Sequence, residues 1–212
     1  GFTEMIDETW SRIEKLADNT GGMRGTPSGF KDLDSKLSGF QPSDLIILAA
    51  RPSVGKTSLA LDFARNAAVK SGIPVAIFSL EMSKEQLVDR MLSAQSQVDG
   101  WKLRTAKLSL DEEFERLQNG MHELMKAPIF VDDKAANTIL NMRSTLRRLN
   151  TDKPIGLIIV DYLQLMGTSK SYDNMVNQVT EISRSLKALA KEFNAPVIAL
   201  SQLSRAVEAR GG

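Results

Sequence analysis

Five short, almost purely apolar runs constrain this chain more than any other feature. They are Asp44–Ala50 (DLIILAA), Pro74–Leu80 (PVAIFSL), Pro128–Val131, Ile155–Val160 (IGLIIV) and Pro196–Leu200 (PVIAL). A strand with one wet face alternates apolar and polar residues, whereas a near-continuous apolar strand must be covered on both faces. The segments between the runs have helical periodicity: Lys56–Lys70, Lys84–Gln97, Asp111–Lys126, Thr138–Leu149 and Asn174–Phe193. The third opens with the capping signal Ser109-Leu110-Asp111-Glu112. The last has an apolar stripe of Val179, Ile182, Leu186, Leu189 and Phe193. Strands alternating with helices predict an α/β fold, a mostly parallel sheet with helices on both faces.

Composition removes several classes of protein. With 212 residues, 42% hydrophobic and 25% charged, the chain suits one ordinary globular domain with a short appendage, not a disordered tract. No apolar run approaches the roughly 18 residues of a membrane-spanning helix, so no membrane partner is expected. There is no cysteine, hence no disulfide frame or thiolate metal site, and a single histidine, His122, excludes a His-rich one. A net charge of +1 neither announces nor forbids nucleic-acid binding, because a basic channel can hide in a neutral total. The N-terminus, GFTEMIDETW, is not a secretory signal and lacks an initiator Met, so the chain reads as a piece of something longer.

Residues 2–17 place Ile6, Trp10, Ile13 and Leu16 at three- and four-residue steps, an amphipathic helix. A Gly-rich linker follows (DNTGGMRGTPSG). The apolar stripe either folds back on its own domain or docks on a neighbouring subunit.

The strongest chemical signal is Ala50-Arg51-Pro52-Ser53-Val54-Gly55-Lys56-Thr57, between a predicted strand and a predicted helix. That is the context of a phosphate-binding loop, where successive backbone N–H groups and a helix N-terminus converge on an anion. Gly55 allows close approach of backbone to phosphate. Lys56 would reach the β- and γ-phosphates and Thr57 would offer its hydroxyl to Mg²⁺, with Ser58 completing the loop. The strict pattern begins with Gly where this chain has Ala50.

Three more polar groups end predicted strands. Asp161 closes LIIVD, where it would hold Mg²⁺ through a coordinated water or else cap a helix. Glu81, in FSLEM, would orient and deprotonate an attacking water or else interact with a helix dipole. Gln202, in IALSQ, would sense the γ-phosphate or else lie in solvent. Ligands of open α/β sheets bind at the carboxyl ends of strands, so these groups converge on one crevice.

The remaining candidates have plainer roles. Met82, Met91 and Met125 read as core or gap fillers. Arg143, Arg147 and Arg148 read as a solvated basic helix face, as do Arg184, Lys187 and Lys191. The polar loop 167–173, with Lys170 and Tyr172, would suit single-stranded nucleic acid.

Taken together, these motifs resemble the RecA-like motor domain of the DnaB family of replicative hexameric helicases. The resemblance rests on ARPSVGKT at 50–57, FSLEMS at 78–83, LIIVDYLQLM at 157–166, EISRSLKALAKE at 181–192 and PVIALSQLSRAVE at 196–208, with GGMRGTPSGFKDLD at 21–34 before them. It implies ATP and Mg²⁺ as cofactors, with Lys56 and Thr57 binding phosphate and metal. It implies Asp161 as the metal-linked acid, Glu81 as the catalytic carboxylate and Gln202 as the link from γ-phosphate to a DNA-facing loop. It divides the chain into a linker helix and Gly-rich linker at 1–28 and a RecA-like ATPase domain at 29–212. The helix at 2–17 would hold a homo-hexameric ring by packing on the adjacent subunit.

The implied activity is an ATP-driven helicase motor moving on single-stranded DNA in the cytoplasm of a bacterial or phage-infected cell. Primase and a helicase loader are the expected partners of the full-length protein. A RecA-like recombinase or repair ATPase, and a nucleotide-binding adaptor without helicase activity, are the alternatives. The family's N-terminal primase-interacting domain, last strands, DNA-contacting loop and arginine finger are not found in this sequence, and Arg205 and Arg210 do not fit the finger's position. The expectation is nucleotide binding with weak hydrolysis by these 212 residues alone.

Overall fold

The computed structural model describes residues 1–18, 24–108, 111–135, 137–161 and 172–202. In chain order the elements are α1 (Phe2–Asp18), α2 (Lys31–Leu37), β1 (Leu45–Ala50), α3 (Lys56–Arg65), β2 (Val75–Ser79), α4 (Lys84–Ser96), α5 (Gly100–Thr105), α6 (Asp111–Lys126), β3 (Ile129–Asp132), α7 (Ile139–Asp152), β4 (Leu157–Asp161), α8 (Tyr172–Phe193) and β5 (Val197–Gln202). A π-helical turn, Asn66–Lys70, directly follows α3. No helix among the described residues is long and apolar enough to cross a membrane.

The strands form one parallel sheet in the order β1-β5-β4-β2-β3. The chain first steps outward from β1 to β2 to β3, then back through β4 to β5. Crossovers between parallel strands are right-handed, so outward and returning helices must lie on opposite faces. The packing follows that rule. Val75 and Ile77 of β2, Leu157 and Ile159 of β4 and Ile198 and Leu200 of β5 meet Leu61, Phe63 and Ala64 of α3 and Leu87 and Met91 of α4. The alternate residues Ala76, Phe78, Ile158, Val160, Val197 and Ala199 meet Met142 and Leu146 of α7 and Leu186, Leu189 and Phe193 of α8. Each large side chain so buried contributes about 1.5–3 kcal/mol.

The predicted α/β class and parallel sheet are therefore present. β1 departs from the expectation of a strand buried on both faces: Ile47 and Ala49 are exposed, because β1 lies at an edge of the described sheet. The predicted helix at 56–70 widens into its π-turn where Asn66 turns inward and donates from Nδ2 to the Ser28 carbonyl at 3.2 Å. The short helices α2 and α5 had too few turns for a periodic signal.

Several side chains also depart from expectation. Met91 is buried and Met82 half-buried, but Met125 is 77% exposed. Arg143 and Arg147 are not merely solvated: both pair with Glu192 of α8, at 3.0 and 2.7 Å. Lys187 donates to the Ser43 carbonyl at 2.7 Å and pairs with Asp44 at 3.2 Å. Ser109, Leu110, residues 162–171, with Lys170, and residues 203–212, with Arg205 and Arg210, lie outside the described residues.

The segment ahead of β1 is fastened to the body. Thr26 bridges Phe40 in antiparallel fashion, and its hydroxyl donates to the Gly156 carbonyl at 2.6 Å. Asp34 accepts from the backbone N–H groups of Ser28 and Gly29 at 2.8 and 3.2 Å. The Phe63 ring meets Phe30 and Phe40 edge-on, with centroids 5.6 and 5.0 Å away. In contrast, Phe2, Met5, Ile6, Trp10 and Ile13 of α1 are all exposed, Trp10 at 61%. Among the described residues, the stripe of α1 is not folded onto its own domain.

Candidate active site

Because β5 and β4 lie between β1 and β2, the carboxyl ends of four strands open side by side. Ala50 at the end of β1 is in register with Gln202 at the end of β5, and Ser79 at the end of β2 with Asp161 at the end of β4. Strand pairing therefore brings the strand ends that carry or lead into the four sequence-predicted groups side by side.

The loop from β1 to α3 has a backbone shaped for an anion. Ser53 and Gly55 adopt positive φ, 64° and 94°. Such residues turn successive N–H groups toward a common point. A non-glycine residue held there is strained, and strain of that kind concentrates at ligand clamps. Gly55 precedes α3 with no side-chain cap, so the first N–H groups of α3 are left for a ligand. No described atom lies within 4 Å of where a Cβ on Gly55 would sit. Ala50, Lys56 and Thr57 are half-buried; Arg51, Pro52, Ser53, Val54 and Ser58 are exposed.

Thr57 donates from Oγ1 to Asp161 Oδ2 at 2.9 Å. Asp161 is 2% exposed, and its Oδ1 has no hydrogen-bond partner among the described residues. Burial raises its pKa above the ordinary carboxylate value; the Thr57 hydrogen bond and the Lys56 charge oppose the shift, and Glu81 adds to it. A buried carboxylate with one unpaired oxygen, beside a hydroxyl, is a donor set for a hard cation. No group of three or more metal-binding side chains occurs among the described residues. The Thr57 hydroxyl and the Asp161 carboxylate are the one or two protein groups with which Mg²⁺ is commonly held, together with its waters and substrate phosphates. The residues present fit the metal and nucleotide implied by the sequence.

Glu81 lies on the turn between β2 and α4, is exposed, and is near enough to Asp161 for its charge to act on that carboxylate. That turn is fixed at several points. The Leu80 N–H donates to the Asp161 carbonyl at 2.7 Å, and the Met82 N–H to Ser79 Oγ at 3.1 Å. Ser83 and Gln86 form a reciprocal capping box at the start of α4. Gln202 is half-buried at the end of β5.

Sequence reasoning missed Arg90. From α4 its Nη1 reaches Ser58 Oγ at 3.4 Å, and its charge acts on Asp161. No local motif marks it, because only the packing of α4 on α3 brings it to the loop. Beside it, Ser58, Asp62, Arg65, Gln86 and Arg104 line a cavity of about 390 Å³.

Comparison with known proteins agrees with this arrangement. Residues 25–212 match the DnaB-like helicase C terminal domain. Over 208 residues the chain is 50% identical to the replicative DNA helicase DnaB of Geobacillus stearothermophilus, covering 98% of this chain and 46% of that protein. It is 47% identical to the replicative DNA helicase DnaC of Bacillus subtilis, with the same coverage. The chain thus spans about half the length of these curated relatives. Among solved structures, an ATPase domain superposes with a TM-score of 0.86 at 34% identity, over 97% of this chain and 74% of that one. A DnaB-like replicative helicase studied with primase superposes with a TM-score of 0.84 at 33% identity, over 97% and 50%. Matched over residues 25–212, the chain belongs to the DnaB-like helicase C-terminal domain family.

Proposed function

We propose that this chain is the ATP-driven motor segment of a replicative DNA helicase that moves along single-stranded DNA. The observation that carries the reading is the Thr57–Asp161 contact, which sets a buried carboxylate, one oxygen unpaired among the described residues, against the anion-binding loop. Thr57 and Asp161 would hold Mg²⁺, which when bound offsets charge on the phosphates. The loop 50–58 binds phosphate oxygens through its N–H groups, with Lys56 adding its charge. Glu81 accepts the proton of a water that attacks the γ-phosphorus as the bond to ADP breaks. Gln202 contacts the γ-phosphate and passes its loss to the residues that follow β5. Arg90 steadies Ser58 and adds positive charge near the loop.

Two apolar surfaces support the proposed homo-hexamer. The stripe Ile6, Trp10 and Ile13 of α1 is exposed. Between α4 and α6 lies an apolar groove of about 230 Å³ lined by Val88, Leu92, Met121 and Met125. A head-to-tail contact of one surface with the other on the next subunit, repeated with a rotation that closes, gives a ring. ATP then sits between subunits. Primase and a helicase loader are the proposed partners, one solved relative having been studied with primase. The curated relatives are bacterial, which supports action in the cytoplasm of a bacterial or phage-infected cell.

The test is calorimetry with Mg²⁺ and a nonhydrolysable ATP analogue, paired with turnover on the full-length protein. Lys56→Ala is expected to lose nucleotide binding. Glu81→Gln is expected to keep binding and lose about 10²-fold or more in turnover. Absence of Mg²⁺-dependent binding by the folded, assembled protein overturns the reading. Imaging with DNA separates rings from the filaments of a recombinase, and absence of turnover would instead favour an adaptor.

A further inference from the structure

The turn that carries Glu81 is held from one more side, by a loop outside the nucleotide crevice. β3 pairs with β2 so that Asp132 is level with Phe78. The residues leaving β3 therefore run beside the residues leaving β2. Asp133 is the first of them. Its Oδ2 accepts from the backbone N–H of Lys84 at 2.9 Å, and its Oδ1 lies 3.6 Å from Lys84 Nζ. Lys84 begins α4, three residues after Glu81.

The described residues on either side of Asp133 are themselves held. Asp132 is buried and accepts from the Lys134 N–H at 3.2 Å. The Asn137 N–H donates to the Lys134 carbonyl at 3.2 Å, and Thr138 caps α7 by accepting from the Asn141 N–H at the same distance. The partly exposed ion pair with Lys84 Nζ is worth little in water. The constraint is the bond to backbone, because it does not depend on where the flexible lysine goes. The Asp133 carboxyl titrates below the usual carboxylate range, chiefly through that backbone bond. The turn 80–83 is then tied at Leu80, at Met82, at Ser83 and at Lys84, with Glu81 inside the brace.

We propose that Asp133 is a positioning residue for Glu81, setting the angle at which the carboxylate meets its water by anchoring the first residue of α4 to the β3–α7 loop. The inference rests on the reading of Glu81 given above. Catalytic geometry is intolerant of small displacements, and a shift near 1 Å can lower a rate by about 10²-fold. Nucleotide binding, which uses the loop after β1, does not pass through Asp133.

The test uses the full-length protein with saturating DNA, comparing wild type, Asp133→Ala, Asp133→Asn, Glu81→Gln and the Glu81→Gln/Asp133→Ala pair. Asp133→Ala is expected to lower kcat about tenfold and to leave KM for ATP within about twofold. Asp133→Asn retains an acceptor for the Lys84 N–H and is expected to recover most of the rate. In the Glu81→Gln background, Asp133→Ala is expected to add no further loss, the mark of two residues acting through one another. An unchanged kcat in a folded Asp133→Ala protein overturns the proposal. So does an equal loss in both backgrounds, or a loss that appears in KM. Should Asp133→Ala not fold, Asp133→Ser takes its place with the same expected split. Wild-type turnover by Glu81→Gln would instead sink the reading of Glu81, and the two failures are told apart by that variant alone.

Discussion

Thr57 and Asp161 are 104 residues apart in the chain and 2.9 Å apart in space. The contact joins the first turn of α3 to the last residue of β4 and leaves the second Asp161 oxygen without a partner among the described residues. A hydroxyl and a carboxylate at this spacing are ready for a cation, at the cost of a buried charge.

Removing only the hydroxyl tests that geometry. Thr57→Val keeps the shape of the side chain but cannot donate to Asp161 or bind a metal. Mg²⁺-dependent nucleotide affinity is expected to fall about tenfold or more, while Thr57→Ser stays near wild type. Titration calorimetry at fixed Mg²⁺ reads both. Equal affinities for Thr57→Val and wild type would remove Thr57 from the site.

Asp161 is expected to work against stability in the metal-free protein. Burial raises its folded pKa above the unfolded value, so the folded state holds its proton longer than the unfolded chain does. This contribution is fully present below the ordinary carboxylate pKa and is lost as pH rises through the raised one. Asp161→Asn removes the titration and can still accept from Thr57. In metal-free buffer it is expected to melt higher than wild type at neutral pH, with a flatter stability profile through mild acid. The same variant is expected to lose Mg²⁺-dependent binding. A lower neutral-pH Tm for a folded Asp161→Asn would contradict the assignment of burial as the dominant effect.

The exposed stripe of α1 makes a prediction about assembly. A buried Trp or Ile contributes about 1.5–3 kcal/mol per side chain, so Trp10→Glu combined with Ile13→Glu should dissociate a ring. Sedimentation is expected to show smaller species, with far-UV dichroism and Tm of the folded domain unchanged. Intact assemblies would place the ring contact elsewhere.

Gly29 has φ +83°, and a Cβ there would lie 2.2 Å from Asn66 Nδ2. Gly29→Ala is therefore expected to lose about 1–3 kcal/mol of stability by denaturant unfolding, through the clash and the left-handed backbone together. Adding Asn66→Ala is expected to return little of that loss, because the Asn66 Cβ, 2.5 Å from the new methyl, is retained. An unaffected Gly29→Ala protein would mean that the segment ahead of β1 is not clamped to α3.

Much of this molecule was legible in the residue order because the signals were local. Continuous apolar runs such as IGLIIV announce strands buried on both faces, since water cannot be tolerated on either side. The phosphate loop is legible for a related reason: anion binding by backbone needs Gly55, Lys56 and Thr57 at fixed neighbouring positions. What spacing cannot encode is which strand lies beside which. The order β1-β5-β4-β2-β3, decided by the burial of two helix layers on opposite faces, brings Asp161 to Thr57, levels Gln202 with Ala50 and sets Asp133 against the turn of Glu81. Arg90, the Glu192 pairs with Arg143 and Arg147, and the exposed edge of β1 depend on the same long-range packing. Local chemistry fixed which groups the chain carries; only the closing of the sheet decided which of them touch.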